Sequence, residues 1–182
     1  MLRMGDEYGL STNGNNNTYG HDNELTWFDW DAKAREDDGL VRFTRMLTHF
    51  RRQHPALGRS HFLEDRDITW HETNWDNPES KFLAYTLHAP SGGSSDCSAA
   101  AGADATLDDV TKRGDLLVAF NAHHYWVDFA VPPASGGKAW HRVVDTNLES
   151  PRDMLPNGKP ESLGSGARYN VAPYSALVLV AR

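Results

Sequence analysis

Between residues 40 and 54 apolar side chains return at helical spacing, with Leu40, Val41, Phe43, Leu47 and Phe50 on one side and Arg42, Arg45, Arg51 and Arg52 on the others. That pattern predicts an amphipathic helix. Asp37 and Asp38 suit its start and the arginines its end, in line with the helix dipole, and Pro55 stops it. Past residue 58 the apolar runs become short. Residues 68–70, 82–87, 116–120, 126–131, 140–144 and 176–180 each read as a strand bounded by Pro, Gly, Asn or Asp. The connection Asn121 to Tyr125 is short enough to close a hairpin. Strands with few helices between them predict an antiparallel sandwich.

Two stretches break the pattern. Residues 8–39 are polar, rich in Gly and Asn and then acidic, with Trp27-Phe28-Asp29-Trp30 embedded in them. An irregular stretch of that length is characteristically a functional loop. Residues 90–114 are mostly Ser, Gly, Ala and Asp, with too little apolar surface to order themselves, and predict a mobile insertion between two strands. No internal repeat is visible.

Composition narrows the function classes. A formal net charge of −7 argues against a nucleic-acid partner, which calls for a basic patch. Cys97 is the only cysteine, so neither an internal disulfide nor a cysteine-based zinc site can be built. No apolar run approaches bilayer length and the first residues lack the core of a signal peptide, so no membrane partner is expected. Asn16-Asn17-Thr18 fits a glycosylation acceptor, a match read as chance in that context.

The most function-like segment runs from Asn15 to Trp27. Its amides and carboxylates, at Asn15, Asn16, Asn17, Asp22 and Asn23, offer paired donors and acceptors that match vicinal sugar hydroxyls. Tyr19 and Trp27 could supply apolar faces for a pyranose ring. The same residues also fit an Asn-rich turn, since Asn tolerates left-handed backbone and caps helices. Asp6 and Glu7 are adjacent and point apart on an extended segment, which favours structural hydrogen bonding over a general acid and base pair. Glu36-Asp37-Asp38 reads as a solvated helix start rather than a metal site. His123-His124 cannot both face one metal from a strand. Neither a cofactor nor a metal is expected, and no phosphate-cradling loop or nucleophile elbow occurs.

A resemblance adds to this reading. Met4-Gly5-Asp6-Glu7-Tyr8-Gly9, followed by Asn15 to Tyr19, Asp22-Asn23 and Trp27 to Trp30, resembles the segment after the eighth barrel strand of isoamylase-type debranching enzymes of the alpha-amylase superfamily. Further similar stretches follow in order: Phe50 to Leu57, Ile68 to His71, Asn77 to Tyr85, Val118 to Asn121, Arg142 to Asn147 and Ala172 to Ser175. The wording is most similar to plant and algal members, which implies starch and a plastid rather than bacterial glycogen.

The resemblance implies residues 1–57 as the last loop and helix of a (β/α)8 barrel, and residues 58–182 as a C-terminal antiparallel β-sandwich carrying the insertion 90–114. It implies hydrolysis of α-1,6 branch points in amylopectin, glycogen or maltodextrin by a retaining, two-carboxylate mechanism. It places Asn15, Asn16, Asn17, Tyr19, Asp22, Asn23 and Trp27 at substrate, with Asp6 and Glu7 structural beside them. The family's catalytic carboxylates precede the Gly5-Asp6-Glu7 motif, so no catalytic residue is assigned and these residues alone are expected to be inactive. The start at Met1 is read as a partial sequence or truncated gene. The expected partners are a branched α-glucan and, in homo- or hetero-oligomers, other isoamylases. Exposed Trp70, Trp75 or Trp126 would instead motivate a glucan-binding module, and a regulatory subunit is the remaining alternative.

Overall fold

The computed structural model describes residues 2–72, 76–90, 114–156, 161–164 and 166–182. The chain divides into two compact units, Met1–Thr48 and His49–Arg182. The division falls inside the long helix, whereas the sequence reading draws the boundary after residue 57.

In the first unit, a 3-10 turn at Asp6–Tyr8 is followed by an irregular segment and a short helix α1, Trp30–Arg35. The sequence reading treats 8–39 as irregular throughout, and α1 corrects it. The helix starts because the Asp29 carboxylate accepts the Ala32 amide at 2.8 Å, a side-chain cap at the N-terminus. Helix α2, Leu40–Gln53, forms where the apolar periodicity predicts. Asp37 does not sit in its first turn. Its carboxylate takes Lys33 Nζ at 2.8 Å and Arg45 at 3.2 Å, so it ties α1 to α2. Those hydrogen bonds and charges, Lys33 first, hold Asp37 below its ordinary pKa.

The second unit is an antiparallel sandwich. Strands β1 (Ile68–Trp70), β2 (Phe82–Leu87), β3 (Leu116–Asn121), β5 (Trp140–Asp145), β6 (Glu161–Ser162) and β8 (Ser175–Ala181) make one sheet in the order β1-β2-β3-β8-β5-β6. Strands β4 (Val127–Ala130) and β7 (Arg168–Val171) pair as a second sheet. Every pairing is antiparallel. Alternation builds the core, because successive side chains leave a strand on opposite faces. Ala84, Leu117, Ala119, Leu177, Leu179 and Ala181 share a buried cluster with Phe129, Val131, Trp140 and Val171. Alanines beside leucines on the larger sheet leave room for bulky rings, and Phe129 lies 5.3 Å from Phe82. Each fully buried Leu contributes about 2 kcal/mol of transfer free energy.

The expected hairpin at Asn121–Tyr125 is absent. β3 pairs with β2 and β8, whereas β4 pairs only with β7, so this connection crosses from one sheet to the other. Asn121 makes the corner. Its amide donates to the carbonyls of Tyr125, Val171 and Ala172 at 2.9–3.0 Å, and its own oxygen accepts the His123 amide at 2.9 Å. One buried side chain thereby satisfies the backbone that a hairpin ladder would otherwise have paired.

Strands β6 and β7 have no counterpart in the sequence reading. β6 is held beside β5 by a buried arginine: Arg142 donates to Glu161 at 2.6 Å and to the Arg152 carbonyl at 2.9 Å. The expected insertion lies between β2 and β3, but residues 91–113, Cys97 among them, and Trp75 are outside the described residues. At its base the Asp115 carboxylate accepts the Ala89 amide at 2.8 Å and the Ser135 hydroxyl at 2.7 Å.

Candidate functional site

The segment that carries the candidate sugar-binding residues is anchored at its base by one turn. Gly5 has φ +102°, and a Cβ there would lie 2.7 Å from Leu10 Cδ2, so glycine is required. The Leu10 amide returns to the Gly5 carbonyl at 2.9 Å. Glu7 accepts the Gly5 amide at 2.8 Å and Asp6 accepts the Arg3 amide at 2.8 Å. Both carboxylates therefore bind backbone at this turn.

Tyr8, buried between Gly5 and Gly9, closes the far end. Its hydroxyl accepts the Asp29 amide at 3.0 Å, and its ring meets Phe28 edge-on at 4.9 Å. Phe28 in turn packs on Trp30 at 4.5 Å. Residues 10–27 thus leave and return to a common aromatic base.

Within the segment, the Asn15 side chain accepts the Asn17 amide at 2.9 Å, and the Asn17 side chain accepts the Tyr19 amide at 3.1 Å. These consecutive Asx turns carry the chain to Tyr19, whose ring is 93% exposed. Asn23 folds the next turn by accepting the Leu25 amide. Asp22 accepts the Trp27 indole N–H at 2.7 Å, which fixes the orientation of a half-exposed ring. The structure therefore joins Asn15, Asn17 and Tyr19 in one run and Asp22 with Trp27 in another, with Asn16 exposed in the first run. The turn chemistry is realised here: asparagine oxygens build the backbone shape that presents Tyr19 outward. Tyr8 is the residue the sequence reading leaves without a role. Its signal was present, an aromatic between Gly5 and Gly9, with a second aromatic run at Trp27 to Trp30.

The histidine pair does not converge. His123 is buried and its Nε2 accepts the Lys81 amide at 3.0 Å, while His124 is exposed and lies edge-on to Tyr125. Among the described residues, no three His, Cys, Asp or Glu side chains gather as metal ligands would. No helix among them is long and apolar enough to cross a membrane.

Residues 61–180 match the family model described as "Isoamylase, C-terminal". The chain belongs to the isoamylase C-terminal family. It is 44% identical to the chloroplastic isoamylase 3 of Oryza sativa subsp. japonica, over 100% of this chain and 20% of that protein. It is 37% identical to the chloroplastic isoamylase SU1 of Zea mays, over 100% of this chain and 22% of that one. The fold is similar to that of a pullulanase from Anoxybacillus sp. LM18-11 solved with maltotetraose, with a TM-score of 0.64 at 17% identity over 99% of this chain and 20% of that one. The chain thus spans about a fifth of the length of these relatives.

Proposed function

We propose that the protein is the C-terminal part of a glycoside hydrolase that cleaves α-1,6 branch linkages in starch-type glucans, acting in the plastid. Residues 10–27 form part of the rim that orients the glucan, and the reacting carboxylates lie on polypeptide preceding Gly5. Family membership, together with similarity to about a fifth of the length of chloroplastic isoamylases over the whole of this chain, supports this reading. The observation that carries the rim assignment is the pairing of Asp22 with Trp27, in the same segment as outward-facing Tyr19.

In this role Trp27 and Tyr19 offer flat apolar faces to pyranose rings. Asn15, Asn16, Asn17 and Asn23 offer amide groups to hydroxyls. Asp22 positions the Trp27 indole, so its removal acts through that ring. Amylopectin, glycogen and branched maltodextrins are the substrates of this reading, and assembly with itself or with other isoamylases is its expectation for quaternary structure.

The test is a chimera in which these 182 residues replace the corresponding segment of the Oryza sativa isoamylase 3. Tyr19→Ala and Asp22→Ala in that chimera should each lower amylopectin debranching by tenfold or more. Lys138→Ala, at an exposed position of the sandwich, should leave it unchanged. Equal activity in all four proteins refutes the rim assignment.

A further inference from the structure

The sandwich carries a second arrangement of aromatic and polar groups, apart from residues 10–27. The crossing between sheets places Tyr125 and Trp126 side by side at the surface, 50% and 58% exposed. They border an open cleft of about 430 Å³, whose other walls include Asn77, Glu79 and Asp128. That size falls within the range of small-molecule sites.

The Tyr125 ring is held in place. Tyr125 stacks on His123 with centroids 4.4 Å apart and planes 27° from parallel. His123 is itself fixed, through Nε2 to the Lys81 amide and through its backbone amide to Asn121. The Tyr125 carbonyl is taken by the Asn121 amide. Asp128 is braced by Arg168, at 2.7 Å. The Asn77 oxygen accepts the Glu79 amide at 3.1 Å, which fixes the side chain that faces the cleft. A folding role alone accounts for Asn121 and His123. It does not account for two adjacent, half-exposed rings with a carboxylate and an amide around them, since large aromatics stabilise a fold by being buried.

We infer that this cleft is a surface binding site for a linear α-1,4-glucan chain, separate from the rim at residues 10–27. Trp126 and Tyr125 supply the apolar platform under the sugar faces. Asp128 and Glu79 accept from hydroxyls, and the Asn77 amide donates to them. Because Tyr125 is already ordered by His123, binding costs little side-chain entropy there. The glucan identity of the ligand rests on the proposed function; the existence of a sugar site rests on the cleft itself. Such a site would hold a branched substrate by its outer chains while a branch point is cleaved elsewhere.

The experiment is calorimetric titration of the 182-residue chain with maltoheptaose, with cellohexaose as the comparison. Saturable maltoheptaose binding should weaken at least tenfold in Trp126→Ala and in Tyr125→Ala. It should persist in Phe62→Ala, which removes a ring 96% exposed and away from the cleft. Both cleft variants alter exposed side chains, and an unchanged thermal midpoint establishes that they fold. Absence of binding at millimolar maltoheptaose, or binding unchanged in both cleft variants, overturns the site. Equal affinity for cellohexaose overturns its assignment to an α-glucan. A debranching chimera without this binding defeats only the site, whereas binding by a chain whose chimera cannot debranch defeats only the proposed function.

Discussion

Tyr169 donates its hydroxyl to the Asp145 carboxylate at 2.5 Å, joining β7 of the small sheet to β5 of the large one. Asp145 is buried, and its second oxygen accepts the Asn147 amide at 3.0 Å. Burial first, and the neighbouring carboxylate second, push the Tyr169 pKa well above its ordinary value of 10.0. Tyr169→Phe leaves a buried carboxylate short of a partner and should cost about 1–3 kcal/mol in chemical denaturation. The pH dependence has a definite sign. A raised folded pKa gives stability that is fully present below pH 10 and lost as pH rises beyond it. The wild-type protein should therefore lose stability above about pH 10 more steeply than Tyr169→Phe. Parallel alkaline curves would contradict the assignment.

This contact also marks what local sequence pattern does and does not reveal. β3 was legible because Leu116-Leu117-Val118-Ala119 is apolar on both faces, as befits a strand in mid-sheet. β7 was not, because four residues are too few to make the alternation of Arg168 and Asn170 with Tyr169 and Val171 stand out, and its partner, β4, is 38 or more residues away by register. β6 is only two residues long and depends on Arg142. The five-residue link at Asn121–Tyr125 has hairpin length, but which sheet receives the next strand depends on Asn121 reaching Val171 and Ala172, a relation no window of sequence contains. In the candidate site the residue types were legible, whereas the Tyr8–Asp29 anchor and the Asp22–Trp27 pairing are contacts created by folding.

At low pH a second pair of groups should govern stability. Asp67 is held below its ordinary 3.8, first by the Glu64 amide, with His61 and Arg59 also contributing. For Asp115, burial pushes the pKa up, but hydrogen bonds from the Ala89 amide, Ser135 and His88 outweigh it and leave it lowered. Depressed carboxylates give stability that is present above their unfolded values and lost as pH falls through them. Urea midpoints should fall as pH drops from about 5 toward 3. Asp67→Asn, which also breaks the 2.9 Å pair with Arg59, should be less stable at neutral pH and flatter across this range. An unchanged acid slope would remove Asp67 from the account.

Core packing makes a prediction on a different residue. Leu179 is fully buried at the centre of the large sheet, paired to Leu117 on β3 and Arg142 on β5. Leu179→Ala should destabilise the sandwich by about 2–5 kcal/mol, the range for truncating a buried leucine. A loss below about 1 kcal/mol would mean that the two sheets do not pack through this position.

The anchoring turn is testable by itself. Gly5→Ala forces an L side chain into a left-handed conformation and against Leu10, and should cost about 1–3 kcal/mol locally. Hydrogen exchange should show faster exchange of the Leu10 amide, which is bonded to Gly5, with β3 and β8 amides unaffected. Unchanged protection at Leu10 would show that the turn does not need glycine.

The most direct measurement is release of reducing ends from amylopectin by two proteins side by side, the 182-residue chain alone and the same residues joined to the remainder of the Oryza sativa isoamylase 3. The account predicts no release by the chain alone and sustained debranching by the joined protein. Debranching by the chain alone, or a folded chimera that cleaves nothing, would contradict it.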